Sequence, residues 1–160
     1  RLFMRDSLAR MENYKSLVGE HIRKYGLPQE IIAVPLIESG YQNLPESNNP
    51  VKAAGIWQFI RQTARVYGLV VNEKRDDRLN VELLTDAAMR YLQSNNLRFK
   101  DWHLSVLAYN MGENAVQKGM DALSTRDAWV LIRNGYEGDR DYLPKLMAAI
   151  LIMRNPDSVE

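Results

Sequence analysis

Apolar residues recur along the chain at helical spacing almost from end to end. Leu8, Met11, Leu17, Val18, Ile22 and Tyr25 predict a helix over about 5–25, which Gly26 can stop. Pro28 stands where a first helical turn accepts proline, and Ile31, Ile32, Val34, Leu36 and Ile37 follow, apolar on nearly every side. That pattern predicts a buried helix, bent at Pro35 and ending in Glu38-Ser39-Gly40. Asn, Pro and Ser then dominate up to Ala54, a loop composition.

Helical spacing returns from Gly55 to Tyr67 through Ile56, Phe59, Ile60 and Ala64, and Gly68 ends it. A polar connection from Asn72 to Arg78 leads to Asn80, a candidate N-cap for a long helix to about Leu97. Asp101 can cap a helix to Asn110, with Gly112 breaking it. Shorter helices are expected over about 113–122 and 126–133, and a last one from about Asp139 to Met153. No stretch shows strand alternation and no repeat is present, so the expected fold class is all-α and compact, with seven or eight helices.

Composition narrows the chemistry. The 160 residues are 46% hydrophobic and 26% charged, with net charge +1, an ordinary globular balance without the basic excess of a nucleic-acid binder. A single domain, 1–160, is expected from length. Cysteine is absent, which removes disulfides, thiolate metal sites and cysteine nucleophiles. His21 and His103 are the only histidines and lie far apart, so a histidine metal site is not expected. The run Leu146 to Met153 is too short to span a bilayer. The chain opens on Arg1 with no signal peptide, and is read as a piece of a longer precursor.

Four segments carry candidate chemistry. Glu38 follows Ile32-Ala33-Val34-Pro35-Leu36-Ile37, an apolar setting that raises a carboxyl pKa and suits it to protonate a leaving oxygen. The plain alternative is a helix-end glutamate in solvent. In Ala53-Ala54-Gly55-Ile56-Trp57-Gln58-Phe59, the small residues allow close backbone approach, Trp57 offers a flat wall and Gln58 both donates and accepts. The alternative places Trp57 and Phe59 in the core. Tyr109 and Asn110, at a helix end before Gly112, can bond a hydroxyl or a carboxylate, although asparagine there is also a routine cap. Tyr142, in Arg140-Asp141-Tyr142-Leu143-Pro144, can also offer a hydroxyl, although a tyrosine one turn into a terminal helix is usually a packing residue.

In combination and in order, Ile37-Glu38-Ser39-Gly40-Tyr41, Ala54-Gly55-Ile56-Trp57-Gln58-Phe59, Ala108-Tyr109-Asn110 and Tyr142-Leu143-Pro144 resemble the catalytic domain of the lytic transglycosylases. The resemblance is nearest to the membrane-bound lytic murein transglycosylase D type, over roughly residues 10 to 150. It implies a lysozyme-like helical fold related to goose-type lysozyme, with a substrate groove. It also implies cleavage of the β-1,4 bond between N-acetylmuramic acid and N-acetylglucosamine in peptidoglycan, leaving a 1,6-anhydromuramoyl end. It makes Glu38 the catalytic acid and base, and Ser39, Gln58, Tyr109, Asn110 and Tyr142 substrate-binding residues; Trp57 is added to them as a substrate-binding wall on the strength of its own flat surface.

No metal or organic cofactor is required by that reaction, and the implied partner is the peptidoglycan glycan strand. A monomeric domain in the bacterial periplasm or cell envelope is expected, with any membrane attachment made through parts outside this chain. Two alternatives remain, a muramidase-type hydrolase on the same fold and a glycan-binding domain that does not cut. A hydrolase needs a second carboxylate, and Glu46 and Glu113 are the ones to watch, both expected to be solvated or in contact with substrate.

The chain also departs from the family pattern. The loop Tyr41 to Lys52 is about two residues longer, and a small hydroxyl-bearing residue is displaced or replaced near Asn49. Gly112-Glu113-Asn114 lacks a second glycine, where asparagine is expected to tolerate the left-handed turn. Asp139 stands in the region of a missing threonine.

Overall fold

The computed structural model describes residues 2–48 and 50–159, so the altered position near Asn49 lies outside the described residues. Among the described residues there are nine α-helices and no strand. They are α1 (Leu2–Glu12), α2 (Lys15–Lys24), α3 (Val34–Glu38), α4 (Arg61–Val66), α5 (Val81–Phe99), α6 (Trp102–Met111), α7 (Glu113–Leu123), α8 (Ala128–Arg133) and α9 (Tyr142–Arg154). No helix among the described residues is long and apolar enough to cross a membrane.

The chain divides into two compact units. The first comprises the chain up to Arg90 and the segment from Ala148 onward; the second is Tyr91–Met147. In the first, α1 packs on α2 and α3, and a 3-10 turn over Gln29–Ala33 packs on both α2 and α3. Its core holds Val18, Ile22, Val34, Leu36, Ile56, Trp57 and Leu84, all fully buried. In the second, α6, α7 and α8 pack on one another around Leu104, Leu107, Val116 and Leu131.

The caps expected at Asn80 and Asp101 are present. Asn80 Oδ1 accepts from Leu83 N at 3.0 Å and Asp101 Oδ1 from Leu104 N at 2.9 Å, each satisfying an amide that the first helical turn leaves unpaired.

Four boundaries differ from expectation. The single helix over 5–25 is two, broken at Asn13 and Tyr14, where the Tyr14 ring stacks on Tyr41 at 6.0 Å. The bent helix around Pro35 is a 3-10 turn followed by α3, with proline in the first turn of α3, where its missing N–H costs nothing. Residues 54–59 are a turn, and helix begins only at Arg61. Helix α9 starts at Tyr142, three residues later than expected.

Candidate active site

Glu38 is the last residue of α3 and is half-buried, as is Ile37 before it, while Val34, Pro35 and Leu36 are buried. The shielding expected for it is therefore partial. What the fold does supply is a fixed backbone. Gly40 and Tyr41 both adopt left-handed conformations, at φ 59° and 57°, and turn the chain sharply after α3. Arg10 Nε donates to Gly40 O at 2.7 Å, and a Cβ at Gly40 would lie 2.6 Å from Ser7 Oγ, so glycine is required. Tyr41 is buried, and its hydroxyl donates to Ile32 O at 2.7 Å. Burial pushes that phenol far above its usual range, so it stays a proton donor.

The second half of this arrangement is the turn 54–59. Ala54 and Phe59 exchange both backbone hydrogen bonds at 3.1 Å, and Gly55 N donates to Leu44 O at 2.8 Å. At Gly55, φ is 78° and a Cβ would stand 2.1 Å from Arg78 O and 2.3 Å from Leu84 Cδ2. The close approach anticipated for this small-residue run is thus an approach to Arg78. Gln58, at φ 52°, is a non-glycine residue held left-handed, and its Nε2 donates to Gly55 O at 2.9 Å, which fixes the direction of the amide.

Ser39 links the two halves. It is 6% exposed, and its hydroxyl donates to Ile56 O at 2.8 Å, with Pro35 O also within reach at 3.3 Å. Glu38 and Gln58 are therefore carried by segments that are hydrogen-bonded to each other. Trp57 must be corrected: it is 0% exposed, its N–H donates to Thr85 Oγ1 at 3.0 Å, and its flat face is a core face, not a wall for a ligand. Phe59 is likewise core.

A buried arginine unreadable from sequence anchors the loop and the turn. Arg78 is 0% exposed and donates to Lys52 O at 2.7 Å and Phe59 O at 3.0 Å, while pairing with Glu46 at 2.5 Å and Asp76 at 2.7 Å. Arg61 grips Glu46 through both carboxylate oxygens, at 2.6 and 2.8 Å. Hydrogen bonds from Arg61 and then Arg78 hold the Glu46 carboxyl down at about 2. Glu46 is thus a structural anion, not the solvated or substrate-facing acid that its loop suggested. The polar run ending at Arg78 reads as a solvated connection because nothing local reveals that its last residue is enclosed.

The remaining candidates belong to the second unit. Tyr109 is half-buried and Asn110 exposed, both in the last turn of α6, before Gly112 at φ 88°. The Tyr109 ring lies 5.4 Å from that of Tyr91. The Tyr91 hydroxyl stands 3.2 Å from both Ala108 O and Glu113 Oε2, so Glu113 also has a protein partner. Asn114 is helical, with its Oδ1 accepting from Arg98 at 3.2 Å, so the left-handed residue expected there is not needed. Tyr142 is largely buried as the first residue of α9.

Helices without strands among the described residues, together with the solved structures that the chain matches, place it in the all-α, lysozyme-like fold class. It superposes on the 70 kDa soluble lytic transglycosylase of Escherichia coli with a TM-score of 0.69 at 21% identity, over 86% of this chain and 23% of that one. An inactive mutant of the lytic transglycosylase Slt of Pseudomonas aeruginosa gives the same score at 18% identity, over 87% of this chain and 23% of that one. The family model for the transglycosylase SLT domain matches residues 16–132, and the chain belongs to that family. It is 34% identical over 158 residues to the membrane-bound lytic murein transglycosylase D of Escherichia coli K12, covering 96% of this chain and 34% of that protein. The chain thus spans about a third of the length of that relative.

Proposed function

We propose that this chain is a lytic transglycosylase catalytic domain that cleaves the β-1,4 bond between N-acetylmuramic acid and N-acetylglucosamine in peptidoglycan. Family membership supports the class of reaction. The observation that carries the reading is a glutamate on a rigid mount: Glu38 ends a short helix whose exit is fixed through Ser39, Gly40 and Tyr41. Glu38 gives its proton to the glycosidic oxygen as the bond to C1 breaks. The resulting carboxylate takes the proton of the sugar's own C6 hydroxyl, whose oxygen closes on C1 to give the 1,6-anhydro ring. Atoms balance without water, so one carboxylate suffices.

The competing hydrolase would need a second carboxylate to activate water. Glu46 is ill suited to that role, because both its oxygens are held by arginines, and at about 2 its carboxyl is a weak base at neutral pH. Glu113 is engaged by Tyr91. Gln58, Tyr109, Asn110 and Tyr142 are the proposed sugar-holding residues, and Ser39 is proposed to position Glu38. The reading places the domain in the bacterial cell envelope, specifically the periplasm, acting as a monomer within a longer protein.

Digestion of purified peptidoglycan with mass analysis tests it. The expected products are lighter by one water than those of a hydrolase, and Glu38→Gln should abolish cleavage while unfolding like the parent. Hydrated products would favour the muramidase. Undiminished cleavage by Glu38→Gln would remove the assigned acid, and glycan binding without cleavage by the parent chain would favour a binding domain.

A further inference from the structure

We propose that Glu137, Asp139 and Asp141, in the loop before α9, form a binding site for a hard divalent cation of calcium type. One carboxylate oxygen from each residue lies within 4.8 Å of the other two. Calcium–oxygen bonds of about 2.4 Å can bridge such a span. The donors are all oxygens, with neither sulfur nor imidazole, which favours calcium or magnesium over zinc or copper. The sequence excludes thiolate sites and makes a histidine site unexpected, but says nothing against a carboxylate one.

Convergence of acids on a surface loop would not be enough. The decisive group is Glu137. It is 3% exposed, and its Oε2 is enclosed with no hydrogen-bond partner among the described residues. Its other oxygen accepts from Asp139 N at 3.2 Å, which folds the loop back on itself. A buried carboxylate oxygen left unpaired is costly, and a bound cation removes that cost.

The local charge is also unbalanced. Lys145 Nζ pairs with Asp141 Oδ2 at 2.5 Å, one ammonium beside three carboxylates. Arg140 sets its guanidinium against Gly135. The acids occupy alternate positions along the loop, the spacing at which calcium loops present their first ligands. Asp141 directly precedes Tyr142, so an ion here would pin the start of α9 and the tyrosine assigned to sugar binding. Cation binding itself does not depend on the glycan reaction.

The test uses the chain stripped with a chelator and titrated with calcium chloride, read by calorimetry and by thermal unfolding. One ion per chain is expected, with a dissociation constant of about 0.1–1 mM, as in weakly binding extracellular calcium modules. The unfolding temperature should rise with calcium concentration. Asp139→Asn should weaken binding about tenfold or more while leaving the calcium-free unfolding temperature at or above that of the parent, since it relieves repulsion. Glu137→Gln should also lose the ion, and Asp139→Asn keeps the test decisive if that buried change impairs folding. No saturable heat up to about 10 mM calcium, ten times the weak end of that range, overturns the proposal, as does undiminished binding by Asp139→Asn.

Discussion

Ser39 Oγ and Ile56 O are 2.8 Å apart, and this one buried hydrogen bond joins the residue after the proposed acid to the turn that carries Gln58. Removing the hydroxyl strands an enclosed carbonyl, at a cost of about 1–3 kcal/mol. Ser39→Ala should therefore lower the unfolding free energy read from urea titration by that measure and reduce turnover on peptidoglycan, while Ser39→Thr, which keeps a hydroxyl, recovers part of both. Full activity in Ser39→Ala would mean that the link does not position Glu38.

Gly55→Ala places a methyl group 2.1 Å from the Arg78 carbonyl at a φ of 78°. Overpacking and the left-handed backbone together predict a loss of about 3 kcal/mol, read by urea unfolding. An unchanged midpoint would mean that the turn moves freely away from Arg78.

Gln58 tests the opposite balance. It sits at φ 52°, where a side chain is strained and glycine is not. Gln58→Gly should leave stability within about 1 kcal/mol of the parent, since relief of strain is set against the added chain entropy and the lost hydrogen bond to Gly55 O. Peptidoglycan cleavage should fall, because the amide proposed to hold the sugar is gone. Loss of stability and activity in parallel would make Gln58 a structural residue only.

Arg78→Met removes a buried cation that serves Glu46, Asp76 and two backbone carbonyls. Breaking such a network from one side should cost about 3–5 kcal/mol in urea unfolding. It should also increase hydrogen exchange in the loop 41–53 and the turn 54–59 more than in α6 or α7.

Acid should reveal the same network. The Glu46 carboxyl titrates at about 2 in the folded chain against an ordinary 4.5, through Arg61 and Arg78. Its folded pKa is lowered, so its contribution to stability is complete above the ordinary value and fades as pH falls from about 4.5 toward about 2. Asp76, held down chiefly by its hydrogen bond from Arg78, acts in the same direction. Thermal unfolding against pH should fall through this window, less steeply in Glu46→Gln and less steeply at high salt.

Helix content, the caps at Asn80 and Asp101 and the buried segment leading to Glu38 are written in local periodicity and side-chain chemistry, so the sequence alone determined the all-α class and the order of the motifs. It could not distinguish a helix from the turn at 54–59, because apolar residues at 56, 57 and 59 face a core equally well from either. Nor could it choose between wall and core for Trp57, or show that Arg78 is enclosed. Those outcomes depend on which distant groups arrive beside a residue: Thr85 at the indole, Glu46 and the 52 and 59 carbonyls at the guanidinium. Burial and pairing belong to the folded chain as a whole, and only the tertiary structure decided them.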